Sequence, residues 1–598
     1  MVCRLDTQRK AAEPCSIVIF GASGDLTARK LIPALYHLFK EKQMPETFRV
    51  IGFARREKTD ESWRTELRAA LEQFSRTKPV DDSVWREFAA NISYCQGDMT
   101  DPAAYQKLEK AIAAFGSGPL KKNLLFYFAT SPSQFGLVAE QLHNAKLLHR
   151  AGGNGGWQRL VIEKPFGHDL ASAQALNHEL TRFAYEQQVF RIDHYLGKET
   201  VQNILMFRFS NSIFERLWSR ESVDHIQITV SEQHSVGGRG GYFEEAGALR
   251  DMVQNHMLQV LALVAMEPPV SLEAESIRDE KVKLLKSIRT PLPDEVAKQV
   301  VRGQYFAGVV DGKSQPGYRQ EEKVKPDSDV ETYVAMKLLI DNWRWSGVPF
   351  YLRMGKCLPL GASEVRVQFR PTPHVLFAAA CGPKLDQNAI TLRLQPNEGI
   401  SLRFNGKVPG TNIGVRPVRM HFSYDSEFGA YTPEAYERLL LEAVAGDATL
   451  FIRRLRPPAS RGIKHLIFHR PIRPTRPNRI HKRPRRLHLV PSDEQRGIPR
   501  HRLQQQALVR LRSVRPELGI VAEVHPHRPQ LHRRPRHLAV EPKRNTLVRL
   551  KSQGEGIRIE TRPALRGKQH IRRRPELNPD FAGTLLKALA GPQVKRHS

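Results

Sequence analysis

The sequence predicts an α/β domain built on a parallel sheet, then an α+β domain with a large antiparallel sheet, then a basic tail that builds no domain of its own. Three observations carry this. Short β-branched runs alternate with helical patterns up to about residue 190, two-residue alternations dominate the next stretch, and the composition changes abruptly at Leu455. The expected limits are therefore 1–190, 191–454 and 455–598, and 598 residues suffice for a sizeable core in each of the first two.

The first strand is residues 17–20, Ile-Val-Ile-Phe, followed by a glycine-containing turn. Leu31, Ile32, Leu35, Leu38 and Phe39 then fall on one helix face, and Pro33 requires that helix to start close before it. Further strand-like runs at 48–53, 123–129 and 160–163, with helical patterns between them, give the rhythm of a parallel sheet wrapped by helices. Beyond Arg191 one long helical pattern covers about 246–266 and another about 330–342. Residues 225–232, 364–370, 389–395, 399–404 and 418–424 alternate as half-exposed antiparallel strands do.

Charge is unevenly placed. The formal net charge is +31, yet residues 455–598 carry 35 Lys and Arg against 9 Asp and Glu, leaving the rest of the chain near balance. This tail also holds 17 of the 40 prolines and 11 of the 22 histidines, with only Phe468 and Phe581 as aromatics. It has little from which to build a core. Two readings stand side by side. Runs such as Lys482-Arg483-Pro484-Arg485-Arg486 would neutralise phosphates in a nucleic-acid-binding arm. Out-of-frame reading of GC-rich coding DNA also gives Arg, Pro and His enrichment, and it better explains a boundary inside a helical pattern and the lack of base-stacking aromatics. Resequencing around the codons for Arg453 to Pro458 separates the two. Five cysteines without a C-x-x-C pair or a metal-like spacing with His point to a reduced, cytoplasmic protein with no bound metal. Residues 1–14 lack a signal-peptide apolar core, and the longest apolar stretch, 258–266, is too short to span a bilayer.

Gly21-Ala22-Ser23-Gly24-Asp25-Leu26 lies between an apolar strand and a helix, where backbone amides can receive a pyrophosphate. At the end of the next strand, where an acidic residue would bind the ribose hydroxyl of NAD, stand Arg55 and Arg56. A guanidinium suits a 2′-phosphate, so NADP is the expected cofactor of a Rossmann-type domain. Glu163-Lys164-Pro165-Phe166-Gly167 ends another strand of the same sheet. His194, Tyr195 and Lys198 stand close in the run from Arg191 to Lys198, and together such groups hold a phosphate dianion. His256 sits on the apolar stripe of the 246–266 helix, the usual place of a core histidine, but Arg250, Asp251, Gln254 and Asn255 crowd the adjacent turns. On an α-helix Asp251 and His256 stand about 140° apart, so a carboxylate orienting His256 must come from elsewhere, and Asp193 is the candidate.

These segments, with Asp341 to Phe350 and Gly446 to Phe451, resemble the glucose-6-phosphate dehydrogenase family over about residues 16–454. The resemblance implies NADP-dependent oxidation of glucose 6-phosphate at C1 in the oxidative pentose phosphate pathway. It implies that His256 is the general base, oriented by Asp193, and that His194, Tyr195 and Lys198 bind the 6-phosphate. Glu232, Asp251 and Lys356 would hold sugar hydroxyls, Lys164 would bridge substrate and cofactor, and the protein would form a homodimer or larger assembly. Two departures stand out. After Lys356-Cys357-Leu358 the family has a second basic residue where this chain has Pro359-Leu360-Gly361, and past Arg453 the family's acidic, Trp-containing helix is replaced by Leu455-Arg456-Pro457-Pro458.

Overall fold

The computed structural model describes residues 12–116, 118–150, 155–167, 169–376, 385–429, 434–453, 548–552 and 557–561. The chain divides into two compact units, Met1–Gly519 and Ile520–Ser598. In the second unit the described residues are an antiparallel strand pair, Val548–Ser552 with Ile557–Thr561. Otherwise the expectations for the basic tail lie outside the described residues.

The first unit opens with strands β1 (Cys15–Phe20), β2 (Phe48–Ala54), β3 (Ile92–Gln96), β4 (Leu124–Phe128), β5 (Gln158–Ile162) and β6 (Val189–Arg191). They form one parallel sheet in the order β3-β2-β1-β4-β5-β6. Every residue of β1 and β4 is buried, because helices cover both faces and each face needs apolar side chains. Alternation along the strand sends Val18 and Phe20 into one core and Ile17 and Ile19 into the other. The order reverses between β1 and β4, which opens a crevice beyond their carboxyl ends.

The first helix differs from expectation. It is helical already from Asp25, and a π-helical turn, Thr27–Leu31, precedes the α-helix Ile32–Lys40. Pro33 is tolerated because its missing N–H falls at the junction where the α-helix restarts.

The second sheet comprises β7 (Val223–Ser231), β8 (Val300–Gly303), β11 (Tyr333–Leu338), β12 (Phe350–Gly355), β13 (Ala362–Phe369), β14 (Ala389–Gln395), β15 (Gly399–Lys407) and β16 (Val415–Ser423); β9 (Gly308–Val310) and β10 (Lys313–Gln315) form a separate hairpin. Its order is β16-β15-β14-β13-β7-β12-β11-β8. The expected antiparallel sheet is in fact mixed, since β7 and β12 run parallel. The connection between these two strands is long and partly helical, as a parallel pair requires. The stretch near 330–342, expected to be helical, contains β11. Val334, Ala335, Met336 and Leu338 are buried between β8 and β12, and a short apolar run packed on both faces carries no decisive period.

The long helix expected at 246–266 is broken into Gly240–Ala248, a π-helical segment Leu249–Met257, and Leu258–Ala265. Gly247 makes the break, with φ +65°; a Cβ there would stand 2.7 Å from Glu331 Oε1. Late residues return to the first sheet. Helix Ala435–Ala445 packs on helix Ile32–Lys40, with Arg159 donating to the Ala443 carbonyl at 3.0 Å. Ile452 then bridges Arg191 at the edge of β6, and Phe451 packs edge-on against Phe190 at 4.9 Å. Among the described residues no helix is long and apolar enough to cross a membrane.

Candidate active site

A cleft of about 360 Å³ lies beyond the ends of β1, β2 and β4, lined by Gly21, Ser23, Gly24, Arg55, Asp98 and Thr130 among others. Gly21 has φ +83°, and a Cβ on it would sit 2.3 Å from the Ala129 carbonyl oxygen, so only glycine closes this turn. The amides of Gly21 and Ala22 donate to Phe53 O, and that of Gly24 to Gly21 O. The following helix start therefore offers the amides of Ser23, Asp25 and Leu26 to an anion. The side chains of the last two are spent elsewhere: Asp25 pairs with Arg29 at 2.5 Å, and Leu26 packs on the core. Arg55 and Arg56 are exposed at the mouth. Thr130 Oγ1 is buried and has no hydrogen-bond partner among the described residues. Glycine turn, helix amides, an unpartnered hydroxyl and two guanidiniums fit a dinucleotide.

Deeper in the unit, adjacent strands deliver the other residues. β5 and β6 are parallel neighbours, so the segments leaving their carboxyl ends place Lys164 near Asp193. β7 and β12 do the same for Glu232 and Lys356, whose Nζ–Oε2 distance is 2.5 Å. The π-helical segment supplies Asp251 and His256. An α-helix would turn residues five apart away from each other, but the wider π turn brings both within 3.0 Å of Lys164 Nζ. Asp251 also accepts from Tyr242 at 3.1 Å.

His256 is fully buried, and its Nδ1 lies 2.5 Å from Asp193 Oδ1, which also accepts the Tyr195 amide at 2.9 Å. Burial pushes the Asp193 carboxyl up, but His256 more than offsets this and holds it far below the usual carboxylate range. Asp251 shows the same contest, with Lys164 winning over burial to lower its pKa. The Tyr195 ring stacks on His256 at 4.4 Å, and His194 meets it edge-on at 4.6 Å. Lys198 Nζ lies 4.0 Å from the centre of the Tyr195 ring and donates to Gln395. Burial lowers Lys198 to about 8.

One expectation changes in character. Burial, then the adjacent His256 and Lys164, holds His194 well below its ordinary value, so it is neutral here and Lys198 is the cation of the His-Tyr-Lys cluster. Asp193, His194 and His256 also lie close enough to be considered as metal ligands. Asp193 Oδ1 takes two hydrogen bonds, and the Lys164 ammonium faces His256 Nε2, where its charge opposes a cation.

Sequence reading missed the supports. Glu163, beside Lys164, is fixed by Tyr127 at 2.6 Å and Tyr436 at 3.1 Å. Tyr195 meets Ser363 at 3.3 Å. These partners lie 36, 273 and 168 positions apart in the chain, and no local motif announces them.

Residues 18–203 match the model of the glucose-6-phosphate dehydrogenase NAD binding domain, and residues 205–460 that of the C-terminal domain of the same enzyme. The glucose-6-phosphate 1-dehydrogenase of Chlamydia muridarum is 49% identical over 448 residues, covering 74% of this chain and 87% of its own. That of Bacillus subtilis is 44% identical over 436 residues, covering 73% and 87%. A solved glucose-6-phosphate dehydrogenase in complex with glucose 6-phosphate superposes with a TM-score of 0.67 at 38% identity, over 74% of this chain and 88% of the other. The Mycobacterium avium enzyme gives 0.62 at 36%, over 73% and 88%. With both domains matched in sequence and the fold shared with a substrate complex, this chain belongs to the glucose-6-phosphate dehydrogenase family, and its Rossmann-type domain binds a nicotinamide dinucleotide.

Proposed function

We propose that the chain oxidises D-glucose 6-phosphate at C1 to 6-phospho-D-glucono-1,5-lactone with NADP as acceptor, the first step of the oxidative pentose phosphate pathway. The observation that carries the reading is the buried Asp193–His256 pair, whose outer nitrogen, Nε2, faces Lys164 beside the His194, Tyr195 and Lys198 cluster. Lys198 supplies charge to the 6-phosphate, while neutral His194 and the Tyr195 hydroxyl donate hydrogen bonds to it. Glu232, Lys356 and Asp251 orient the sugar hydroxyls, which holds C1 in register with the dinucleotide cleft. His256 Nε2 takes the proton of the C1 hydroxyl as the carbonyl forms, and the Asp193 carboxylate stabilises the resulting imidazolium. A bound nicotinamide supplies the acceptor for the hydride leaving C1. Lys164, within reach of Asp251 and His256, bridges substrate and cofactor. Arg55 favours the 2′-phosphate of NADP over the bare ribose of NAD.

Steady-state kinetics with glucose 6-phosphate and with free glucose test the reading. The phosphate cluster predicts a kcat/KM preference of several orders of magnitude, and equal values would overturn it in favour of an unphosphorylated sugar. The reading includes cytoplasmic action and a homodimer or larger assembly through the large sheet. Met420 and Phe428 are exposed in a groove beside β15 and β16, as a covered face requires. Sedimentation of the intact chain as a monomer would count against that assembly.

A further inference from the structure

The first turn of helix Ala435–Ala445 touches two segments of the site at once. Tyr436 Oη donates to Glu163 Oε1 at 3.1 Å, and Tyr127, from β4, donates to the same oxygen at 2.6 Å. Gly197, one residue before Lys198, lies so close to this turn that a Cβ on it would stand 2.5 Å from the Ala435 carbonyl oxygen. Lys164 follows Glu163 directly in the chain, and its Nζ lies 3.0 Å from both Asp251 Oδ1 and His256 Nε2.

Glu163 is buried, and a carboxylate withdrawn from water is costly unless hydrogen bonds replace its hydration. Burial pushes its pKa up, and the Tyr127 hydroxyl, then that of Tyr436, pull against the rise. Tyr127 comes from the neighbouring strand, in register with Val161. A second donor from another element fixes the rotation of the carboxylate, which one donor leaves open. The helix stays docked without the Tyr436 hydroxyl. Lys30 and Arg76 hold Glu434 at its start, at 3.2 and 3.0 Å, and Arg159 donates to the Ala443 carbonyl at 3.0 Å and to the Val444 carbonyl at its end. What the hydroxyl adds is the placement of Glu163. We infer that Tyr436 is a positioning residue for the reaction: through Glu163 it fixes the backbone from which Lys164 reaches Asp251 and His256, on the same turn that supports the phosphate-binding run at Gly197.

The inference rests on the reading of Lys164 as the bridge between substrate and cofactor, and the test separates the two. In the full chain, Tyr436→Phe removes one oxygen and is expected to lower kcat/KM for glucose 6-phosphate by about fivefold or more, with Glu163→Gln acting in the same direction. In a Lys164→Ala background Tyr436→Phe should cost less than about twofold, because the group it places is gone. Glu434→Gln loosens the same helix without touching Glu163 and should leave kcat/KM within about twofold. Should the phenylalanine variant not fold, Glu163→Gln carries the same cycle. An unchanged kcat/KM for Tyr436→Phe, an equal loss in both backgrounds, or an equal loss in Glu434→Gln reduces Tyr436 to a packing residue and leaves the role of Lys164 standing. A normal kcat/KM for Lys164→Ala alone overturns both readings.

Discussion

Lys164 Nζ lies 3.0 Å from His256 Nε2, and because an ammonium has only protons to give, Nε2 must be the accepting nitrogen. The imidazole proton is therefore on Nδ1, donated to Asp193 Oδ1 at 2.5 Å. This fixes the tautomer that a base needs, with its lone pair directed outward. Nitrogen-15 NMR of His256 in the free protein should show Nδ1 protonated and Nε2 bare at neutral pH.

His256→Ala is expected to lower kcat by at least about 10²-fold while glucose 6-phosphate still binds, and Asp193→Asn to act in the same direction by releasing the imidazole. Single-turnover rates beside equilibrium binding separate chemistry from affinity. A near-normal rate would return His256 to the role of a core histidine.

Substrate affinity should fall on the alkaline side. Burial brings Lys198 down to about 8, so its ammonium is present below that pH and lost above it. KM for glucose 6-phosphate should therefore climb as pH rises from about 8 to 9. Lys198→Arg should flatten that limb, since a guanidinium stays charged throughout.

Arg55→Ala should cost NADP about 1.5–3 kcal/mol of binding, the range for a charged hydrogen bond, and leave KM for NAD nearly unchanged. Equal effects on the two cofactors would remove Arg55 from the 2′-phosphate.

Phe451 is fully buried and meets Phe190 edge-on at 4.9 Å. Phe451→Ala should lower stability by about 3–5 kcal/mol, read as a reduced denaturation midpoint.

The parallel sheet was legible because fully buried strands such as β1 read as unbroken apolar runs between helical patterns. The helix taken to span 330–342 was not, since the apolar residues of β11 are packed on both faces and leave period 2 without contrast. The π-helical turns escaped for another reason. Their cause is a demand of the site and of Pro33, and the sequence around Asp251 and His256 satisfies α-helical rules equally well. Motif reading collected the residues that approach the sugar. It passed over those that hold them, because Glu163 finds Tyr436 and Tyr195 finds Ser363 only after the whole chain has turned back on itself.

The bridge between Arg191 and Ile452 has a consequence for how the protein is made. Strand β6 emerges from the ribosome about 260 residues before the segment that borders it, a delay of roughly 13–50 s at ordinary rates of synthesis. Throughout that interval the nascent nucleotide-binding domain carries an unguarded edge next to the future active site, open to mispairing with any extended segment nearby. The arrival of Phe451 and Ile452 closes this window, so errors in decoding just upstream of them would be felt first as aggregation on the polysome.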